Sequence, residues 1–155
     1  MAEIKNFECF DIGTQTTQRV SIVCGPIIIR QGRIFLVQSS DTLEWKLPGG
    51  NHHDNESERE TVIRETHEET NLNIELVEEV DPLILRLTRT KEGQIFEYLL
   101  YHYAARIIGT FSVQLSEENK DSGFFEPDQL PTNCAPNIAI AIKHFFSTSI
   151  NTGSI

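Results

Sequence analysis

Cysteine is scarce in this chain of 155 residues, and its three cysteines are widely spaced. They are Cys9, Cys24 and Cys134, and none of them belongs to a Cys-x-x-Cys pair. A disulfide framework or a structural zinc site requires paired or clustered thiols. The odd count and wide spacing therefore argue against both, and we expect three reduced thiols, at least one of them buried.

Long apolar runs are also missing from the sequence. No run approaches the roughly 20 apolar residues that a membrane-spanning helix needs. The first residues, Met1 to Lys5, lack the basic-then-apolar order of a signal peptide. We therefore expect no membrane association, and a cytoplasmic location is the default expectation.

The chain has few basic residues relative to acidic ones. Lysine and arginine total 13 against 23 aspartates and glutamates, so the formal net charge is −10. A duplex-binding protein usually has a basic face, so this balance speaks against nucleic acid as the main partner. An acidic protein can still bind anionic phosphates when metal ions bridge the two. The charge balance thus directs attention to clustered carboxylates.

The chain length and the apolar pattern predict one domain, spanning residues 1–155, with a frayed tail from about residue 148. Alternating or β-branched stretches predict strands at 19–30, 34–38, 45–50, 73–78, 82–88 and 94–108. Helical spacing predicts helices at 57–70 and 137–147. The polar residues 116–122 are predicted to form a loop. This order favours an α/β fold in which helices pack on a sheet.

The first predicted helix carries signals for both of its ends. Ser57 and Glu60 have the spacing of a capping box, in which each side chain accepts a hydrogen bond from the other residue's backbone N–H. Asn71 follows the last helical residue, and asparagine tolerates the left-handed conformation that ends many helices.

Three groups of side chains are predicted around this helix, at about 100° per residue. A core-facing stripe consists of Val62, Ile63, Thr66 and Thr70. A second side holds Glu60, Arg64 and His67, with Glu60 and Arg64 spaced as an i,i+4 ion pair. A third side holds Glu65, Glu68 and Glu69.

The acidic side has an energetic cost. Like charges at i,i+3 and i,i+4 repel by a few tenths of a kcal/mol per pair, and the helix dipole disfavours negative charge near the C-terminus. A solvated acidic face and a ligand-binding face are both compatible with the helix alone. The loop that precedes the helix favours the second interpretation.

The loop and helix together resemble the Nudix box, which reads G, five residues, E, seven residues, REU, one residue, EE, one residue, G and U, where U is bulky and apolar. Seven positions agree: Gly50, Glu56, Arg64, Glu65, Glu68, Glu69 and Leu72. Thr66 replaces an apolar residue and Asn71 replaces glycine. The segments 45–50, 123–131 and 138–146 also resemble their counterparts in the Nudix family.

This resemblance implies an α/β/α sandwich around a mixed sheet and a divalent metal, Mg²⁺ or Mn²⁺. By position, the implied metal ligands are Glu65, Glu68, Glu69 and the backbone of Gly49. Glu56, Arg64 and Gly50 are implied to support the site. All-oxygen ligands suit these hard cations. The implied reaction is attack of water on a phosphorus of a diphosphate link, with Glu68 or Glu65 as the catalytic base.

Five further residues are weaker candidates for the site. Glu118 is a candidate metal ligand or base from a later loop, and its neighbour Glu117 stays open. His52 is a candidate for contact with the substrate, and Phe124 and Phe125 are candidates for stacking on a base. Solvent exposure of the glutamates and the histidine, and core packing of the aromatic rings, are the alternative interpretations.

The resemblance leaves the substrate open among nucleoside triphosphates, sugar nucleotides, ADP-ribose and similar nucleoside diphosphate derivatives. A homodimer is compatible with the family. Two other functions share the fold: a nucleotide-binding or regulatory protein that does not hydrolyse, and an isoprenoid diphosphate isomerase. Non-hydrolysing relatives usually lack box carboxylates, which this chain retains. The isomerases use a catalytic cysteine, for which Cys134 is a poor match.

Overall fold

The computed structural model describes residues 4–6 and 20–146. The nine strands it contains are β1 (Ile4–Asn6), β2 (Val20–Arg30), β3 (Arg33–Ser39), β4 (Trp45–Lys46), β5 (Gly50–Asn51), β6 (Asn73–Leu76), β7 (Leu83–Lys91), β8 (Gln94–Ile108) and β9 (Asn119–Phe125). The two helices are α1 (Glu58–Thr70) and α2 (Asn137–Phe146). Cys9 and the tail predicted from residue 148 lie outside the described residues.

The strands form a mixed sheet in the order β1-β7-β8-β2-β3-β4. The central pair, β2 and β8, is parallel, and so is the edge pair β1 and β7. The remaining pairs are antiparallel: β2 with β3, β3 with β4, β7 with β8, β5 with β2, β6 with β8, and β9 with β3. Helix α1 packs mainly on β2, and α2 contacts β7.

Alternation along the central strands divides the core into two layers. On β2 and β3, Ile27 and Leu36 contact one cluster, which includes Phe145 of α2. Ile28 and Phe35, one residue away on each strand, belong to a second cluster that includes Val62 of α1. Because successive strand residues point to opposite faces, the two helices cover opposite faces of the sheet. The predicted α/β/α sandwich is confirmed.

Two expectations about local structure are wrong. The predicted loop 116–122 contains the start of β9, because this polar segment pairs with β3, where Ser122 faces Val37 and Asp121 faces Gln38. Backbone pairing thus overrides the polar composition. Ile63, predicted to face the core, is 43% exposed.

The predicted ends of α1 are confirmed. Ser57 is the N-cap, with both hydrogen bonds of the capping box present, and Asn71 ends the helix at φ 67°. The predicted pair of Glu60 and Arg64 is wrong, since Glu60 accepts the Ser57 N–H at 2.8 Å and Arg64 turns to other carboxylates. Of the cysteines, Cys24 is buried and Cys134 half-buried, and both are free thiols. Within the described residues, no helix is long and apolar enough to cross a membrane.

Candidate active site

The loop before α1 lies directly against the backbone of β2. A methyl group on Gly25 would overlap the carbonyl oxygen of Pro48, and one on Gly49 would meet the carbonyl oxygen of Cys24 at 2.7 Å. Gly49 also has a φ of 149°, a conformation that side chains rarely adopt. The loop and strand therefore approach each other more closely than residues with a Cβ would allow.

The acidic side of α1 changes from buried to exposed around the helix. The buried positions Val62, Thr66 and Glu69 follow i, i+4 and i+7 spacing, so Glu69 lies within the core-facing stripe. The exposed fraction is 2% for residue Glu69, and 14% and 57% for the side chains of Glu65 and Glu68. The same geometry explains the exposure of Ile63, which lies about 100° from Val62 around the axis. One helix thus presents carboxylates at three depths.

Arg64 joins the box glutamates to one another. Its Nε and Nη2 atoms donate to the two oxygens of Glu56, at 3.0 and 2.7 Å. Its Nη1 donates to Glu65 and to Glu68, both at 3.0 Å, and Nη2 also donates to the carbonyl of Asn51. These bonds lower the pKa of Glu56 to about 2, chiefly through the hydrogen bond from Arg64. The guanidinium therefore connects the loop, the helix and β5.

Glu69 is a buried carboxyl group with a single backbone donor. The N–H of Gly49 donates to its Oε1 at 2.9 Å. Burial raises the pKa of Glu69 to about 7, and the nearby Glu65 and Glu118 add to the rise, while the Gly49 N–H and Lys46 oppose it. Its negative charge is thus poorly compensated by the groups around it.

Glu65 has a similar environment. Burial raises its pKa, and the carboxylates of Glu68 and Glu118 contribute to the rise, against the effect of Arg64. A methyl group on Gly50 would overlap the Glu65 carboxylate, so only glycine at position 50 leaves room for it. Gly50 pairs with Cys24 in the β2–β5 ladder, which fixes this approach.

The loop that carries Glu117 and Glu118 is attached to the end of α1. The N–H groups of Gln114 and Ser116 donate to the carbonyls of Thr70 and Glu69, each at 3.0 Å. These bonds use carbonyls of the last helical turn, which have no partner within the helix. The helix end therefore sets the position of the loop.

These elements enclose a cavity of about 640 Å³. It is lined by Val23, Ser39, Ser40, Asp41, Lys46, Gly49, Gly50, Asn51, Glu65, Glu69, Glu117 and Glu118. A second opening of about 320 Å³ lies between α1 and the following loop and is lined by Glu65, Glu68, Glu69, Ser116, Glu117 and Glu118. Both Glu117 and Glu118 therefore adjoin the helical carboxylates.

The carboxylates suit a hard divalent cation by their chemistry. Several acidic oxygens converge on one cavity, where burial, and to a lesser extent their mutual repulsion, raises the pKa values of Glu65 and Glu69. As the side chains stand, no three His, Cys, Asp or Glu groups among the described residues form a complete ligand set. Arg64 Nη1 donates to Glu65 Oε2 and to Glu68 Oε1, so one oxygen of each carboxylate has no bond to Arg64.

Three of the weaker candidates, His52, Phe124 and Phe125, lie away from the carboxylates. His52 packs against α1, with Nδ1 2.9 Å from the Thr61 hydroxyl. The ring of Phe125 contacts Trp45 edge-on, with centroids 5.0 Å apart. The ring of Phe124 contacts Phe35, with centroids 5.2 Å apart. None of the three lines either cavity around the carboxylates.

Three residues of the site were missed by the sequence analysis. Gly25 allows the approach of Pro48, Lys46 is the cation that lowers the pKa of Glu69, and Thr61 donates to Glu56 at 2.8 Å. Lys46 could have been suspected, since it is the only basic residue in the segment 45–50 before the box. Gly25 and Thr61 act through tertiary contacts and have no comparable signal in the sequence.

Comparison with known proteins agrees with this geometry. A family model described as NUDIX domain matches residues 18–145. A search of curated proteins finds no match. The matched region includes the box, the central sheet and most of α2.

Solved structures share the fold. A MutT NUDIX hydrolase from Burkholderia pseudomallei is 24% identical, covers 82% of this chain and 98% of its own, and has a TM-score of 0.62. An ADP-ribose pyrophosphatase from Streptococcus suis is 22% identical, with coverages of 86% and 96% and a TM-score of 0.60. An Ap4A hydrolase from C. elegans is 23% identical, with coverages of 80% and 85% and a TM-score of 0.58.

Proposed function

This chain belongs to the NUDIX family, and on that premise we propose that it cleaves the pyrophosphate link of a nucleoside diphosphate derivative with the help of a divalent metal ion. Its class, a Nudix-type pyrophosphohydrolase, follows from the family. The metal, the roles of individual residues and the substrate are the parts that we propose.

One observation carries the proposal. The buried carboxyl of Glu69 and the half-buried carboxyl of Glu65 line one cavity, and the basic side chains in its lining are fewer than its carboxylates. Lys46 is the basic residue in the lining of that cavity. Burying a carboxylate without a positive charge beside it costs free energy. Two such carboxylates in one cavity therefore indicate that a cation binds there. A bound divalent cation would supply the missing positive charge.

We assign the ligands by combining position with burial. Glu65, Glu68 and Glu69 would hold the metal with the backbone carbonyl of Gly49, and Glu118 is the further candidate from the later loop. When bound, a divalent ion neutralises charge on phosphoryl oxygens and makes water a better nucleophile. Mg²⁺ and Mn²⁺ fit the all-oxygen donor set.

The other residues of the site have supporting tasks in this proposal. Arg64 holds Glu56 in a two-point hydrogen bond and so keeps the loop against the helix, with Gly50 leaving room for Glu65. Lys46 is positioned to attract a phosphate of the substrate into the cavity. Glu68 or Glu65 accepts the proton of the attacking water, and the greater exposure of Glu68 favours it for passing that proton to solvent.

The substrate class is proposed from the family and from the cavity. Hydroxyl, amide and lysine groups line it beside the carboxylates, which suits a diphosphate joined to a polar group. Similar structures include enzymes named for ADP-ribose and for Ap4A. Nucleoside triphosphates, sugar nucleotides, ADP-ribose and dinucleoside polyphosphates therefore form the panel to test.

The test is hydrolysis of that panel by the purified chain with Mg²⁺ or Mn²⁺, with and without EDTA, followed by separation of the products. Metal-dependent cleavage of one class, with release of a nucleoside monophosphate or of pyrophosphate, is expected. Binding of a nucleotide without turnover of any member would instead favour a non-hydrolysing nucleotide-binding protein.

A further inference from the structure

A third cavity, of about 250 Å³, shares no lining residue with the two openings around the carboxylates. It is lined by Arg30, Gln31, Arg33, Phe111 and Phe124. The first three residues belong to β2, β3 and the tight turn between them, and Phe124 lies on β9. Phe111 lies in the loop after β8. Three separate parts of the chain therefore form this cavity.

One wall of the cavity is a row of three aromatic rings, the innermost of which is buried. Phe35 is buried, and its ring contacts that of Phe124 at 5.2 Å between centroids. The ring of Phe124 contacts that of Phe111 at 5.8 Å. Phe111 is 44% exposed, unlike the two rings behind it. The row therefore presents an aromatic surface to solvent that packs on a buried ring.

Arg30 lies over the ring of Phe111, and no carboxylate of the described residues is within salt-bridge distance of it. Its Cζ is 5.3 Å from the centroid of Phe111. The other arginines that the structure describes each have a carboxylate within salt-bridge distance: Arg33, Arg59, Arg64, Arg86, Arg89 and Arg106. Arg30 alone among these arginines has no such partner within residues 4–6 and 20–146. In a chain of net charge −10, this makes the cavity a distinct place for an anion.

Arg33 contributes a second, weaker positive charge. It pairs with Glu126 at 3.6 Å, and both side chains are about half exposed. A pair so exposed to solvent is held weakly and leaves the guanidinium available to another anion. The cavity thus combines an aromatic surface with two guanidinium groups: that of Arg30, which has no carboxylate partner in the described part of the chain, and that of Arg33, which has an exposed one.

We propose that this cavity binds a nucleoside monophosphate, with the base on Phe111 and the phosphate on Arg30, as a second nucleotide site apart from the hydrolytic one. Every nucleobase has a face that stacks on an aromatic ring. A guanidinium group binds phosphate oxygens through two parallel hydrogen bonds. The volume lies just below the roughly 300 Å³ at which ligand pockets usually begin, which suits a mononucleotide better than a dinucleotide.

The alternative explanation is that Arg30 merely covers the face of Phe111 with its apolar stem. The two explanations predict different results when a nucleotide is added. If Arg30 only covers Phe111, no residue around this cavity should change its NMR signal. A binding site predicts a response that depends on both the aromatic ring and the charge.

The experiment is a titration of AMP into the ¹⁵N-labelled full chain in EDTA, followed by two-dimensional NMR. We expect saturable shifts of the amides of Gln31, Gly32 and Ser112. Adenosine should bind at least roughly tenfold more weakly than AMP, because it lacks the phosphate. Shifts confined to the Gly49–Asn51 loop, or no shifts at millimolar AMP, would overturn the proposal.

Variants complete the test. Arg30→Gln and Phe111→Leu should each weaken AMP binding by about tenfold, the effect expected for one phosphate contact or one stacked base. Arg30→Gln should also remove the preference for AMP over adenosine. Arg106→Gln, which alters an exposed arginine paired with Glu75, is the matched control and should bind as the wild type does.

Kinetics distinguish a second site from an extension of the first. If Arg30→Gln and Phe111→Leu raised the KM for the hydrolysed substrate in proportion to their loss of AMP binding, the cavity would hold part of that substrate. That result would overturn the proposal of a separate site while leaving the hydrolase proposal intact. Unchanged KM with lost AMP binding is the expected outcome.

Discussion

The backbone N–H of Gly49 donates to Glu69 Oε1 at 2.9 Å, so the loop that precedes α1 is attached to the last turn of that helix. The two residues are 20 positions apart in sequence. A backbone donor oriented by a glycine with φ 149° thus holds a carboxyl group that is almost fully buried. This contact holds the loop and the helix together as one site.

Arg64→Lys should reduce kcat/KM by about 10- to 100-fold, because lysine keeps the charge but loses the planar fork that binds both oxygens of Glu56. Steady-state kinetics on the best substrate measure this effect. Arg59→Lys is the control on the same helix, since Arg59 pairs with the exposed Glu78 outside the site. Equal activities of the two variants would contradict the role of Arg64.

Gly50→Ala should weaken Mn²⁺ binding by roughly tenfold or more, because the added methyl group overlaps the Glu65 carboxylate and displaces it. Mn²⁺ affinity can be measured by electron paramagnetic resonance. Gly123→Ala is the control, since a methyl group there meets only Phe125 at 3.4 Å. Unaltered Mn²⁺ affinity in a folded Gly50→Ala protein would show that Glu65 is not a ligand.

Thr66 occupies a box position where an apolar residue is usual, and Thr66→Val should change the free energy of unfolding by less than about 1 kcal/mol. Its hydroxyl donates only to Val62 O of the preceding turn, at 2.7 Å. Thr70→Val should cost more, about 1 kcal/mol or above, because the Thr70 hydroxyl also accepts the N–H of Leu72. Urea unfolding of the two variants tests the difference. A larger loss in Thr66→Val would contradict it.

Stability should depend on pH through His102, which is buried between Leu83 and Asn137. Its Nδ1 donates to the carbonyl of Leu83, and its Nε2 accepts from the Asn137 amide, as a neutral ring requires. Burial lowers its pKa from 6.5 to about 4. Between these values the unfolded chain binds the proton and the folded chain does not. The free energy of unfolding should therefore fall by about 3 kcal/mol as pH drops from 6.5 to 4.

Glu69 acts in the opposite direction, since its raised pKa stabilises the folded chain as pH falls from about 7 towards 4.5. The quantity to measure is therefore the difference in free energy of unfolding between the wild type and His102→Gln from pH 7 to pH 4. This difference should shrink as pH falls. The exposed His53→Gln serves as control, and parallel profiles for the wild type and His102→Gln would refute the assignment.

Much of the fold could be predicted from the sequence because its signals are local. Apolar alternation located β2 and β8, and the Ser57 and Asn71 caps located both ends of α1. The β9 strand was not predicted, because its polar residues form a strand only through pairing with β3. The face of Ile63 was mistaken because two adjacent apolar residues on a helix cannot both lie at the centre of one stripe.

For the site, too, the sequence predicts what depends on local spacing and not what depends on tertiary packing. The box spacing places Glu65, Glu68 and Glu69 together because they share one helix. The different burial of these three carboxylates, and the contact of Gly25 with Pro48, depend on how the helix and loop pack on the sheet. The cavity with Arg30 and Phe111 joins residues 81 positions apart, which no local pattern could have related.

Turnover of Glu68→Gln on the best substrate of the panel, measured beside Glu60→Gln on the same helix, tests whether the acidic side of α1 catalyses hydrolysis. Glu60 lies outside the site, and its carboxylate accepts a hydrogen bond from the N–H of Ser57. The side-chain oxygen of glutamine can accept the same hydrogen bond. We expect kcat to fall at least 100-fold in Glu68→Gln and to stay within about twofold in Glu60→Gln. Equal turnover in both variants and the wild type would contradict the account.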